Sequence, residues 1–299
     1  MKILNFGSCN IDIVYNVDHI VRAGETISVN SIETFVGGKG LNQSVALANA
    51  GAMVYHAGCI GNDGGLLSEF MRTAGVDLNY LQVNDTKTGQ AIIQVDKSGE
   101  NAIFLYPGAN HEITEAYVDK VLEYFNCGDF LLLQNEINNI EYIIDKAYEK
   151  GMRIFFNPAP FNEKAAAIDL NKLYCIIPNE IECSGYTGTN GIDAFADLIK
   201  NRYPKLRAVV TLGKRGCVYI DSENILHQSA FNVDAVDTTA AGDTFVGYFI
   251  AQIGTGKTVQ DAIKTACASS AITVSRKGAA PSIPNINEVE DFMNKKSRS

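Results

Sequence analysis

The sequence has no C-x-x-C pair, although it carries seven cysteines, at positions 9, 59, 127, 175, 183, 217 and 267. An odd and scattered set argues against a disulfide framework and a structural zinc site, and it suits the reducing cytoplasm. No stretch approaches the roughly 20 apolar residues of a membrane span. The start does not read as a secretory signal, because Asn10 and Asp12 interrupt the apolar run too early. A basic surplus is missing too: 25 Lys and Arg stand against 34 Asp and Glu, for a net charge of −9. A duplex-binding protein carries a basic face, so neither nucleic acid nor a membrane is an expected partner. The four histidines (19, 56, 111 and 227) lack metal-ligand spacing and read as structural or surface positions. G-x-S-x-G, H-E-x-x-H and G-x-G-x-x-G are all absent. No segment is of low complexity, so disorder is expected only at Lys295 to Ser299.

What is present is core. The 299 residues are 46% hydrophobic, enough for one large domain, here taken as 1–299. Short apolar runs predict strands at 3–6, 54–60, 130–133, 153–157, 175–178 and 208–212. Helical periodicity covers 41–50, 66–74, 140–150, 193–203 and 244–253, with Gly51 placed to end the first of these. Strand alternating with helix argues for an α/β fold, a parallel sheet covered by helices on both faces. Two stretches break the rhythm. Residues 11–35 hold alternating runs (Ile11, Ile13, Tyr15; then Ile27, Val29, Ile32), and 89–106 read as a hairpin about Asp96-Lys97-Ser98-Gly99. Consecutive strands without helices suit a small antiparallel sheet outside the main one. It is either an edge extension or a lid that excludes water from a site.

Several segments set polar or glycine-rich sequence beside a strand or a helix start. Gly37-Gly38-Lys39-Gly40-Leu41-Asn42-Gln43 precedes a helix, where glycine lets the backbone approach a ligand and free N–H groups favour polar or anionic partners. A tight strand-to-helix turn is the plainer reading, and Gly after Lys39 rules out a Walker A loop. Gly254-Thr255-Gly256-Lys257-Thr258 ends like a Walker A loop, but residue 251 is Ala and the segment follows a helix. It reads as a helix-terminating loop. Asp237-Thr238-Thr239-Ala240-Ala241-Gly242-Asp243-Thr244-Phe245 puts small residues directly before an apolar helical run. The N–H groups of Ala241, Gly242 and Asp243 would be orphan donors there, able to form an anion hole for a transferred phosphoryl group. Asp243 is placed either to take a proton from an attacking hydroxyl or simply to cap the helix.

Asn10 and Asp12 lie just past the first strand, where parallel sheets gather ligands; they suit hydroxyl recognition or a turn. Asn179-Glu180-Ile181-Glu182 offers carboxylates for water-mediated Mg²⁺ binding, or a solvated helix start. Thr211-Leu212-Gly213-Lys214-Arg215-Gly216 would border a nucleotide, or turn a hairpin into Cys217 to Ile220.

In this order, these segments resemble the ribokinase-like (PfkB-type) carbohydrate kinases over residues 3–290, together with Gly7-Ser8-Cys9-Asn10-Ile11-Asp12, Asn157-Pro158-Ala159-Pro160 and Arg276-Lys277-Gly278-Ala279-Ala280-Pro281-Ser282. The resemblance implies a Rossmann-like three-layer domain with a mostly parallel central sheet and a small β-sheet lid, at about 11–35 and 89–106. The lid often serves as a dimer interface, so a homodimer is implied. The implied activity is transfer of the ATP γ-phosphoryl group to the 5-hydroxyl of D-ribose in the cytoplasm. Asp243 would be the base, and the N–H groups of Ala241, Gly242 and Asp243 the anion hole. Asn10, Asp12, Gly38, Lys39, Asn42 and Glu136 would bind sugar hydroxyls, and Ala91, Ile93 and Leu105 the apolar face of the sugar. Asn179 and Glu182 match the N-x-x-E motif that organises Mg²⁺ and the phosphates. Thr211, Gly213, Lys214, Gly216, Gly242 and Cys267 would line the nucleotide. A monovalent cation, usually K⁺, would be held at Asp237, Thr239, Thr273, Arg276, Gly278 and Ser282, several through backbone oxygens.

Three departures bear on the sugar and the nucleotide, not on the reaction type. Leu41 stands where the family usually has Ala, Cys267 where it often has His near the adenine, and Asn135 and Ile137 are unfamiliar neighbours of Glu136. Deoxyribose, fructose, a keto-deoxy sugar acid or a nucleoside remain alternative substrates. A sugar acid would want a second cation beside Lys39. A non-catalytic sugar-binding regulator on the same fold would have no need of Asp243. An NAD enzyme would need the missing glycine fingerprint.

Overall fold

The computed structural model describes residues 1–296. Thirteen strands are present among them: β1 (Ile3–Phe6), β2 (Asn10–Asn16), β3 (Ser31–Gly37), β4 (Val54–Gly61), β5 (Asp77–Asn84), β6 (Gly89–Val95), β7 (Asn101–Tyr106), β8 (Phe130–Gln134), β9 (Arg153–Asn157), β10 (Cys175–Ile176), β11 (Arg207–Thr211), β12 (Cys217–Ile220) and β13 (Ile225–Gln228). The helices are α1 (Lys39–Asn49), α2 (Gly65–Thr73), α3 (Glu115–Leu122), α4 (Ile140–Glu149), α5 (Glu163–Ala167), α6 (Glu180–Thr187), α7 (Ile192–Arg202), α8 (Ala241–Gly254), α9 (Val259–Val274) and α10 (Ile286–Lys296).

Nine strands form one sheet in the order β13-β12-β11-β10-β9-β8-β1-β4-β5. From β5 to β11 every pairing is parallel; β12 and β13 close one edge antiparallel. The strands read as near-continuous apolar runs because both faces are covered. Alternate residues face two separate cores. Ile3, Phe130, Leu132, Phe155 and Val209 pack under α1, α2, α8, α9 and α10. Leu4, Phe6, Leu131, Leu133, Ile154, Phe156 and Val210 pack under α3, α4 and α7. The result is the expected three-layer α/β domain. No helix among the described residues is long and apolar enough to cross a membrane.

The second sheet has the order β3-β2-β6-β7. It departs from the expected all-antiparallel sheet at its centre, where β2 and β6 run parallel. The chain leaves the small sheet after β3, builds α1, β4, α2 and β5, and re-enters from the same end; such a return makes a parallel neighbour. Ile27 and Val29, expected in its second strand, precede β3, which starts at Ser31. At the C-terminus α10 continues to Lys296, so Lys295 and Lys296 are helical where disorder was expected, and 297–299 lie outside the described residues.

Two close approaches bring the ends of β1, α1 and α8 together. A methyl on Gly40 would stand 2.3 Å from the Ser8 nitrogen, so the first turn of α1 is pressed against the backbone that follows β1. A methyl on Gly247 would stand 2.4 Å from Ala46 Cβ, so α8 lies directly on α1. Gly38, with φ +92°, turns the chain into α1 in a conformation that favours glycine. The segment Gly254 to Thr258 is the helix-terminating loop expected of it: α8 ends at Gly254, Gly256 has φ +80°, and Thr258 caps α9.

Candidate active site

Asp243 is the third residue of α8 and is 7% exposed. Its side chain does not cap that helix. Oδ2 accepts from Asn42 Nδ2 at 2.9 Å and Oδ1 from Gln43 Nε2 at 2.9 Å. Both donors lie in the first turns of α1, so the carboxylate bridges two helix N-termini. The entry into α8 runs through Ala240, whose φ of +57° is rare for a residue with a Cβ. The first bond of the helix joins the Thr244 N–H to the Ala240 carbonyl at 2.8 Å, ahead of which lie the N–H groups of Gly242 and Asp243. The third expected donor, Ala241, gives its N–H to the Thr238 carbonyl at a long 3.3 Å. Space above Gly242 is open: nothing stands within 4 Å of a methyl built there.

Four of the residues expected at a sugar, Asp12, Lys39, Asn42 and Glu136, lie close enough to this carboxylate to interact with it. Asn10, Asp12, Ala91, Ile93 and Leu105 share one face of the small sheet, because Asp12, Ala91 and Leu105 are lateral partners across β2, β6 and β7. Asn10 is fixed through its Oδ1, which accepts from Asn110 Nδ2 at 2.8 Å and leaves the Asn10 amide hydrogens to donate. Glu136 follows β8 and accepts from Ser8 Oγ at 2.5 Å and from the Lys39 N–H at 3.0 Å. Leu105 is 56% exposed, so that end of the face is uncovered. The Oδ1 of Asn42 and the Oε1 of Gln134 are buried without a protein donor.

Electrostatics ties the group together. Burial first, then the Glu136 and Asp243 charges, pushes the Asp12 carboxyl up to about 7. Burial likewise raises Glu136, against the pull of Lys39 and the bonds it accepts. The Lys39 ammonium is held above its ordinary value, chiefly by Asp243 and against desolvation, with help from Glu136 and Glu182. One lysine therefore sits in the field of three carboxylates. Glu182 forms a capping box with Asn179: the Glu182 N–H donates to Asn179 Oδ1 at 2.9 Å, and the Asn179 N–H to Glu182 Oε2 at 2.9 Å. It is buried rather than the solvated helix start that was the alternative. Asn179 Nδ2 holds the other carboxylate oxygen at 2.9 Å. With both oxygens engaged, this pair fits Mg²⁺ through water better than by direct ligation.

A cavity of about 460 Å³ opens beside Ala241 and Gly242. Thr211, Gly213, Lys214 and Gly216, from the turn between β11 and β12, form one wall, and Cys267 of α9 another. The turn is thus both a hairpin connection and a cavity wall. Phe231, Asn232 and Ala271 also line the cavity and went unnoticed in the sequence, being irregular chain and a small helical residue.

Asp237 is held below the ordinary carboxyl range. Burial pushes it up, but the bonds from Thr239 and the Gly278 N–H outweigh that. Its Oδ1 accepts from the Thr239 N–H at 2.9 Å and its Oδ2 from the Gly278 N–H at 2.9 Å. An ionised carboxylate is one of the ligand types that suit a monovalent cation. Thr273 and Arg276 share the turn that ends α9, where the Arg276 N–H donates to the Thr273 carbonyl at 3.1 Å. The Arg276 side chain pairs with Glu288, so only its carbonyl is offered. Ser282 bonds back to the Ala279 carbonyl, and no bond joins it to Asp237.

Gln43, Ser8 and Asn157 stood in recognised segments without an assigned role. Asn110, Asn5 and Gln134 were missed altogether. The available signal was a polar residue ending or interrupting an otherwise apolar strand, as in Ile3-Leu4-Asn5 and Leu131-Leu132-Leu133-Gln134.

Residues 1–286 match the pfkB family carbohydrate kinase. The ribokinase of Schizosaccharomyces pombe is 35% identical over 324 aligned residues that cover 100% of each chain. Among solved structures, a ribokinase from Cryptococcus neoformans in complex with ADP superposes with a TM-score of 0.86 at 32% identity, covering 97% of this chain and 99% of that one. Arabidopsis thaliana ribokinase complexed with ribose and ATP superposes with a TM-score of 0.86 at 28% identity, covering 98% of each. With its buried carboxylate between two helix starts and a cavity beside it, the chain belongs to the pfkB family of carbohydrate kinases.

Proposed function

We propose that the protein transfers the γ-phosphoryl group of ATP to the 5-hydroxyl of D-ribose. The observation that carries this reading is the placement of Asp243. It faces the Asn42, Lys39, Asp12 and Glu136 group, and the neighbouring Gly242 lines the cavity. A neutral polyol suits the first side, which offers several carboxylates and amides and a single cation. ADP is the ligand of the Cryptococcus neoformans relative, and ribose and ATP are those of the Arabidopsis thaliana one.

In this reading the amide hydrogens of Asn10 and the carboxylates of Asp12 and Glu136 take the hydroxyls of the sugar. Ala91, Ile93 and Leu105 cover its apolar face when the small sheet closes as a lid. Asp243 accepts the proton of the attacking hydroxyl, a step worth roughly 10²–10⁴-fold in rate. The N–H groups of Gly242 and Asp243 meet the charge spread over the transferring phosphoryl oxygens, and Ala241 joins them by giving up its long bond to Thr238. Lys39 offsets the negative charge gathered on both sides. Asn179 and Glu182 would hold Mg²⁺ through water, and Mg²⁺ would neutralise the phosphate oxygens. K⁺ at Asp237, Thr239, Thr273, Arg276, Gly278 and Ser282 would brace the loop before Ala240.

The edge strand β7 supports a homodimer formed through the lid. Ile103, Phe104, Leu105 and Tyr106 are all exposed on it, and an apolar edge of that kind calls for cover. Seven free thiols support residence in the cytoplasm.

Three tests bear on this reading. Asp243→Asn keeps the shape and removes the base, so kcat for ribose should fall by about 10²–10⁴-fold with KM changed far less; near-parental turnover would refute the role. Asp12 titrates at about 7 in the free protein. Hydroxyl donors favour its ionised form, so ribose binding near neutral pH should release protons, read by calorimetry in buffers of different ionisation enthalpy. The release should vanish by pH 9, where both forms are ionised, and in Asp12→Asn. Uptake, or no exchange, would contradict it. Removal of K⁺ from the buffer should depress kcat, with recovery on adding K⁺ back; equal rates in both buffers would exclude the cation.

A further inference from the structure

The alternation that sends Ile3, Leu132 and Phe155 toward α1 and α8 places Asn5, Gln134 and Asn157 on the same face, at the C-terminal ends of β1, β8 and β9. Gln134 and Asn157 are lateral partners in the sheet. Asn5, Gln134 and Gln43 are 0% exposed, and a buried amide is costly unless its hydrogens are used. Here they are used in one direction only. Asn5 Nδ2 donates to the Gly40 carbonyl and to Ser44 Oγ, each at 2.8 Å, which turns Asn5 Oδ1 toward Gln134. Gln134 Nε2 donates to that oxygen at 2.9 Å and to Gln43 Oε1 at 2.7 Å. With its oxygen so occupied, Gln43 points its Nε2 at Asp243 Oδ1, 2.9 Å away, and at Asn157 Oδ1, 3.1 Å away. Asn157 Nδ2 donates to the Ile177 carbonyl at 2.8 Å. Both ends of the chain are backbone carbonyls, which cannot exchange donor for acceptor. A flip of Asn5, Gln43 or Asn157 would set donor against donor and acceptor against acceptor, and a flip of Gln134, whose Oε1 is buried without a partner, would set that oxygen against those of Asn5 and Gln43.

We propose that Gln43 is the positioning residue of Asp243, and that the buried amides of Asn5, Gln134 and Asn157 dictate which end of Gln43 faces the carboxylate. The inference rests on the reading of Asp243 as the base. Asn42 holds one oxygen and Gln43 the other, so the plane of the carboxylate is set from the protein side. A free lone pair on the carboxylate is then aimed at the attacking hydroxyl, and rotation toward Lys39 is resisted.

Gln43→Glu and Gln43→Asn test this in the full-length protein. Gln43→Glu sets a second carboxylate against Asp243 Oδ1, and the acid limb of kcat should move to higher pH by about one unit or more. Gln43→Asn withdraws the amide by one methylene. It should lower kcat about tenfold or more, with KM for ribose and for ATP within about threefold and Tm near the parent's. A folded variant of either kind with the parent's kcat and pH profile would overturn the proposal. So would loss of folding in both, which would assign Gln43 to core stability alone. If Asp243→Asn itself retained turnover, the underlying reading would fall instead, whatever the Gln43 variants did.

Discussion

Hydrogen bonds from Asn42 and Gln43 to Asp243 join the N-terminus of α8 to that of α1 across a buried boundary. Most of the site hangs on that junction. It requires α1 to start where the chain leaves β1, which Gly40 permits by lying against Ser8, and it requires α8 to rest on α1, which Gly247 permits at Ala46. The backbone donors of Gly242 and Asp243 then lie within one helical turn of the carboxylate. The small sheet is attached at the same point. β2 begins at Asn10 directly after Ser8 and Cys9, and β3 ends at Gly37 directly before α1. A displacement of α1 would therefore move the start of the small sheet, Asp243 and the first turn of α8 together.

The charge arrangement has a cost that the fold absorbs. Asp12, Glu136 and Asp243 repel one another, and burial adds to the strain on Asp12 and Glu136. The Lys39 ammonium opposes this repulsion at Asp243 and Glu136. In the free protein part of the repulsion is relieved by holding Asp12 near its midpoint at neutral pH. Ligand hydroxyls would relieve it further by donating into the carboxylates. This is the pattern expected where function outranks local stability.

The sequence made the parallel core legible because strands buried on both faces are unbroken apolar runs, and those at β1, β8 and β9 fell within a residue of their structural limits. Helix α9 was not legible. Its run Thr265-Ala266-Cys267-Ala268-Ser269-Ser270-Ala271 consists of small residues buried on most sides, so no polar face marks a period. The parallel pairing of β2 with β6 was equally hidden, since register between distant strands leaves no local trace. In the site, glycine-rich helix starts pointed to the right segments. They did not show whether Asp243 caps its helix; the bonds it accepts from Asn42 and Gln43, some 200 residues away in sequence, take its side chain away from that role. The amide row of Asn5, Gln134 and Asn157 was visible only as single polar residues in apolar strands.

The central claim is that the carboxylate of Asp243 serves a hydroxyl at the end of a small sugar. The most direct test follows the labelled γ-phosphoryl group of ATP into product and locates it by phosphorus NMR. The account predicts that the label appears on the 5-oxygen of ribose, and that 5-deoxyribose binds without accepting it. Transfer to another ribose oxygen, or to 5-deoxyribose, would contradict it. So would release of the label as inorganic phosphate with none on the sugar.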